Sequence, residues 1–119
     1  MKESARVIGL IVLLSLAGCA LRSWEYPYPP VPLGVPAADK KWYSTGGQFR
    51  HDAVELDPDN KEIFESIDEE VEEAVKNHPQ NGEFGFVHTF WETKRRILYW
   101  KYDIDWHDVQ DMTPGLMVD

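Results

Sequence analysis

The chain has 119 residues, with 12 Lys plus Arg against 21 Asp plus Glu, a formal net charge of −9 at pH 7 with His neutral. A surface this acidic repels nucleic acid and anionic lipid, so neither is expected as a partner. The length allows one small domain and not two, and a 13% aromatic content (five Trp, five Tyr, five Phe) excludes a wholly disordered tail.

Lys2 and Arg6 charge the first residues, diluted by Glu3, and Val7 to Leu16 is almost unbroken hydrocarbon before the small residues Ala17 and Gly18. A charged start, a short apolar run and a small-residue cleavage site describe a secretory signal peptide. The apolar run from Val7 to Ala20 is 14 residues, short of the roughly 20 that span a bilayer as a helix. A permanent spanning anchor is therefore not expected. Leu16-Ala17-Gly18-Cys19 ends in the only cysteine, and this run resembles the lipobox of bacterial lipoprotein precursors. The resemblance covers residues 1–19 alone. It implies that residues 1–18 are a signal peptide, that the Cys19 sulfur receives a diacylglycerol, and that the new amino terminus is acylated after cleavage. Two or three acyl chains suffice for stable anchoring. In enterobacterial lipoproteins an Asp after the cysteine commonly retains the protein at the inner membrane. Ala20 stands there, which implies the outer membrane, facing the periplasm, in an organism that has one. No cofactor is expected beyond this covalent lipid. With the thiol acylated no disulfide can form, so stability has to come from packing. Without Lys2, Arg6 and Glu3 the charge count becomes 10 against 20, which sharpens the acidic bias.

Residues 19–39 read as a lipid-anchored linker. Pro27, Pro29, Pro30, Pro32 and Pro36 are interleaved with Trp24, Tyr26 and Tyr28. Each proline fixes its own φ and biases the residue before it toward extended geometry, which favours polyproline II. At about 3.1 Å per residue such a spacer holds a domain several nanometres from the lipid. The same strip suits a partner's aromatic groove, and Trp24 and Tyr26 suit a membrane interface.

Residues 40–119 read as a small, mainly helical domain. Lys41-Trp42-Tyr43-Ser44, then Thr45-Gly46-Gly47, then Gln48-Phe49-Arg50 suit either a short hairpin or an irregular loop whose aromatics cap the core. The glycines do not make a phosphate-binding loop, because no Lys-Ser/Thr follows them. Asp57-Pro58-Asp59-Asn60 signals a helix start: Asp57 can cap with Pro58 following, or Asp59 can cap with Glu62 completing a capping box. Ile63, Phe64, Ile67, Val71, Ala74 and Val75 then form one stripe at helical spacing, and Asn77-His78-Pro79 ends it. Glu62, Glu65, Asp68, Glu69, Glu70, Glu72 and Glu73 fill the other face. An EF-hand is excluded, since Lys61 and Glu62 occupy positions that need an oxygen ligand and Gly.

Phe86 to Tyr102 reads as a second helix with two neighbouring apolar stripes: Phe86, Phe90, Ile97 and Trp100 beside Val87, Trp91, Leu98 and Tyr102. A face this wide predicts a central helix covered on two sides, antiparallel to the first across a short connection. Lys94 and Lys101 lie in the seam between the stripes. Their stems can line the core edge while the ammonium groups reach water or helix-one carboxylates. With Trp91 and Trp100 they are also the candidate slot for a small anionic ligand. His88 and Glu92 share a face with Arg95 and Tyr99, which reads as a surface pair because zinc needs three or four ligands.

In the tail, Asp105 is expected to cap a short turn containing Trp106 and Val109. Asp103, Asp105, His107 and Asp108 are the candidate divalent-metal ligands. Leu116-Met117-Val118 is expected to fold back on the helices. No nucleophile–base spacing is recognisable. The expectation is a non-catalytic, lipid-anchored envelope protein, serving as an interaction subunit of a membrane or cell-wall assembly with a protein partner. The alternatives are a lipid-anchored module for a small anionic or cell-wall ligand, and then a metal-dependent enzyme.

Overall fold

The computed structural model describes residues 24–115. The expectations for the signal peptide, for Cys19 and for packing of Leu116–Val118 lie outside the described residues.

The fold is mainly α, an antiparallel two-helix core with a short hairpin on its flank. Strands β1 (Trp42–Tyr43) and β2 (His51–Asp52) pair antiparallel, with Trp42 opposite Asp52 and Tyr43 opposite His51. The hairpin reading holds, but its second strand lies beyond the expected Gln48–Arg50. The loop is correspondingly longer, and it turns at Gly46, whose φ of 101° suits glycine. Two short 3₁₀ turns follow: Ala53–Leu56, then Pro58–Asn60, which leads directly into helix α1 (Lys61–Val75). The Asp57 carboxylate accepts the Asp59 N–H at 3.0 Å, so it caps this 3₁₀ turn with Pro58 in the first position. The alternative capping box does not form, because α1 itself has no side-chain cap bond.

Helix α1 buries Ile67, Val71 and Val75, with Ile63, Phe64 and Ala74 at the edge of the core. This is the predicted stripe. Its other side is solvated except at Glu70, which is half-buried against the next helix. After the connection through Gly85, helix α2 (Phe86–Tyr102) buries Thr93, Ile97 and Leu98. Thr93 is tolerated there because its hydroxyl donates to the Thr89 carbonyl at 2.8 Å.

Helix α2 ends on Asp103, which takes a left-handed φ of 58°. The Asp103 N–H donates to the Tyr99 carbonyl and the Ile104 N–H to the Leu98 carbonyl at 2.9 Å, a closure of the Schellman type. The chain reverses and runs without regular structure to Asp108, sending Ile104 and Trp106 into the core, at 5% and 4% exposure. Helix α3 (Val109–Met112) follows, and it is Asp108, not Asp105, that caps it, by accepting the Asp111 N–H at 2.9 Å. The core therefore lies between α1, α2 and the tail segment, and Trp24, Tyr28 and Val54 pack against its margin.

Candidate interaction surface

The proline-rich segment has no regular structure from Trp24 to Pro36 and ends in a 3₁₀ turn at Ala37–Asp39, and from Trp24 onward it lies on the domain rather than standing off it. The Trp24 indole N–H donates to the Ala74 carbonyl at 2.9 Å, and its ring meets His78 edge-on at 4.8 Å. Arg96 stacks over Tyr26 at 3.7 Å and donates to the Tyr28 carbonyl at 3.2 Å. The Trp100 indole N–H donates to the Pro29 carbonyl at 3.0 Å. The segment is thus a strap running along α2 from its amino-terminal to its carboxy-terminal end. Proline makes this arrangement possible: a strap without internal hydrogen bonds keeps its carbonyls free for side-chain donors. Trp24 and Tyr26 are accordingly engaged by the domain itself.

The strap ends in a polar hub where four segments meet. The Asp52 carboxylate, 1% exposed, lies 2.6 Å from the Lys40 ammonium and accepts the N–H groups of Val54 and His107 at 3.1 and 3.0 Å. Lys40 also donates to the Asp105 carbonyl. The Asp105 carboxylate accepts the Val35 N–H at 3.0 Å. A Cβ at Gly34 would stand 2.7 Å from that same carboxylate oxygen, so the approach depends on glycine. Arg95 donates to the Trp106 carbonyl at 2.7 Å and lies 2.9 Å from His107 Nδ1, while His107 Nε2 lies 2.9 Å from the Val35 carbonyl. These two contacts fix the tautomer: Nε2–H donates to Val35 and Nδ1 accepts from Arg95. Asp105 Oδ1 has no hydrogen-bond partner and is held in the field of Arg95, whose Nη2 is 3.9 Å away.

Of the metal candidates, the fold brings together only Asp105 and His107, at 4.0 Å. Asp103 terminates α2 and Asp108 caps α3. Among the described residues no group of three His, Cys, Asp or Glu side chains is placed to hold a metal ion.

Nor do the four ligand-slot residues share one site. Lys94 lies 3.0 Å from Asp68 and 4.8 Å from the Trp106 ring centroid. Lys101 lies 2.6 Å from Glu70. Trp91 meets the His88 ring edge-on at 5.8 Å, and Trp100 serves the strap. Both ammonium groups thus reach helix-one carboxylates, and an anionic ligand would have to displace them. Glu92 is taken by Arg96 at 2.7 Å rather than by His88.

The Glu70 site has a pH signature. Burial pushes its carboxyl up, but hydrogen bonds from Lys101 and Tyr102 and the Lys101 charge more than offset this and hold its pKa below the ordinary range of a glutamate. A depressed folded-state pKa stabilises the fold above the unfolded value and loses that stabilisation as pH falls through the folded one. Stability followed by urea unfolding should therefore fall below about pH 4.5, and Glu70→Gln should flatten that part of the profile. An unchanged acid limb in the variant would remove Glu70 from the account.

At the carboxy-terminal end of α2 the strap, the hairpin and the tail enclose an open cleft of about 820 Å³. Lys40, Lys41, Asn60 and Asp105 are among its polar lining, and Val35 and Leu56 are among its apolar lining. Val35 and Leu56 are 48% and 61% exposed, and Leu33, two residues before Val35 on the strap, is fully exposed. Tyr43 and Glu55 close the adjoining wall by a 2.9 Å hydrogen bond. Burial, and then Glu55, push the Tyr43 hydroxyl up to about 12, so it is a fixed donor and not an acid. Sequence reasoning missed this surface because it joins residues about 70 positions apart. One signal was present: Ile104 and Trp106 alternate with Asp103 and Asp105, the period of an extended half-buried segment.

No family model, no curated protein and no solved structure matches the chain.

Proposed function

We propose that the chain is a lipid-anchored protein of the bacterial cell envelope, acylated at Cys19, whose domain is a non-catalytic interaction subunit of a membrane or cell-wall assembly. The anchor rests on the Leu16-Ala17-Gly18-Cys19 run. The interaction role rests on the cleft: Val35 and Leu56 offer apolar lining, with Leu33 exposed two residues before Val35 on the strap, around charged groups such as Lys40 and Asp52 that pair with one another. Apolar side chains at the rim of a rigid polar frame suit a protein partner.

A photo-crosslinker at Asp57, placed in the lipidated chain in cells, tests this. One dominant envelope protein should be captured, and the paired substitution Leu33→Asp and Leu56→Asp should abolish its capture while leaving the helical circular dichroism unchanged. Capture that persists in the paired variant, or no capture at all, would sink the proposal.

A further inference from the structure

The strap changes what the anchor can do. Only Ala20, Leu21, Arg22 and Ser23 separate Cys19 from Trp24, and Trp24 is bound to the carbonyl of Ala74 at the end of α1. Five peptide steps, fully stretched, cover about 17 Å. This end of the domain therefore cannot leave the surface of the membrane that holds the lipid.

The same end carries an exposed apolar side chain with no role in the fold. Phe84 is 88% exposed, and it lies in the α1–α2 connection two residues before Phe86. The connection is fixed to the strap through rings that meet edge-on: Trp24 meets His78 at 4.8 Å, and His78 meets Phe86 at 5.2 Å. Phe84 thus belongs to the rigid end that the leash holds at the membrane. The rest of the connection, Asn77 to Gly85, holds one carboxylate, Glu83, and otherwise uncharged residues apart from His78. The flank of α1 is different: Glu62, Glu65, Asp68, Glu69, Glu72 and Glu73 are all exposed there. Laying that flank on a bilayer with anionic lipid is disfavoured, whereas standing the domain on its connection leaves it in water.

We propose that the α1–α2 connection is a lipid-binding surface, with Phe84 seated in the headgroup layer and α1 and α2 rising from the membrane. This inference rests on acylation of Cys19. It has a consequence for the partner cleft, which is lined by Asn60 and Tyr102 at the other end of the two helices. The cleft faces away from the anchoring membrane, raised by about the 22 Å length of a 15-residue helix.

The test uses the mature lipidated chain in phosphatidylcholine vesicles. Because Cys19 carries the lipid, Glu83→Cys supplies a unique thiol for an environment-sensitive fluorophore, and Asp59→Cys places the same label at the far end. Vesicle flotation is measured first, then quenching by brominated lipid. An interfacial side chain sits about 5–10 Å into the headgroup boundary, so the label at 83 should be quenched and blue-shifted and the label at 59 should not. Phe84→Ser, which alters no packed residue, should weaken the quenching at 83 while flotation persists. Flotation with equal quenching at both positions overturns this orientation and leaves the anchor intact. Failure to float overturns the anchor reading and this inference with it.

Discussion

Replacing Trp106 with alanine is expected to destabilise the domain by about 3–5 kcal/mol. Trp106 is 4% exposed and joins three elements. Its ring fills the core beside α1 and α2, and Lys94 lies 4.8 Å from its centroid. Its indole N–H donates to Glu55 at 2.8 Å. Truncation therefore opens a cavity and also leaves a half-buried carboxylate short of a donor. In a domain of this size the loss should lower Tm by more than about 10 °C. Trp106→Phe separates the two effects: it keeps most of the apolar volume, and its cost of about 2 kcal/mol reports the bond to Glu55. Trp42, 49% exposed under Arg50, is the control, with an expected change of less than about 1 kcal/mol for Trp42→Ala. Equal losses at positions 42 and 106 would mean that the tail segment is not part of the core.

The second large effect is expected at Asp52. Removing one partner of a buried ion pair typically costs about 3–5 kcal/mol, since the other charge stays buried and unpaired. Asp52→Ala leaves the Lys40 ammonium with only the Asp105 carbonyl and removes the acceptor of the N–H groups of Val54 and His107, three losses from one side chain. Lys40→Met should cost clearly less, because Asp52 keeps both of its backbone donors. Asp52→Asn should fall between them, retaining an acceptor but no charge. Urea unfolding at pH 7 gives the order, with a constant m-value as the check that the denatured state is unchanged. If Lys40→Met were the more damaging of the two end members, the hub would be organised around the ammonium and not around the carboxylate.

These two residues also mark how far the sequence alone could go. The bounds of α2 and the buried stripe of α1 follow from periodicity, a local property carried by Ile67, Val71, Ile97 and Leu98. The turn at Asp57-Pro58 was equally legible, because a cap and a fixed φ act within three residues. Trp106 was read as part of a short turn, since the tail's dense acids suggested caps and metal ligands. What determines its place is the reversal at Asp103, a non-glycine in the left-handed region, which no pattern in the tail announces. Asp52 was invisible for a different reason. A lone aspartate in a hairpin strand looks like any solvated acid until Lys40 and His107 are brought to it from the two ends of the domain. For Lys94 and Lys101 the periodicity leaves carboxylate and ligand both open, and only the position of α1 brings Asp68 and Glu70 to them. The strap was legible as a linker, but its docking depends on Arg96, which no pattern singles out, and on Trp100, which periodicity places in an apolar stripe of the helix.

The strap also sets how the protein answers a mechanical load. On the proposed acylation of Cys19, a partner pulling away from the membrane would load the strap at Trp24, and the tension would meet the contacts one after another: Trp24 on Ala74, Tyr26 and Tyr28 on Arg96, Pro29 on Trp100, Val35 on the hub. Contacts loaded in series yield singly, at far lower force than the same contacts sheared together. The strap is expected to unzip before the helical core unfolds. Freeing residues 24–35 adds about 40 Å of reach to the leash, so the domain carries its own reserve of length, released only under pull.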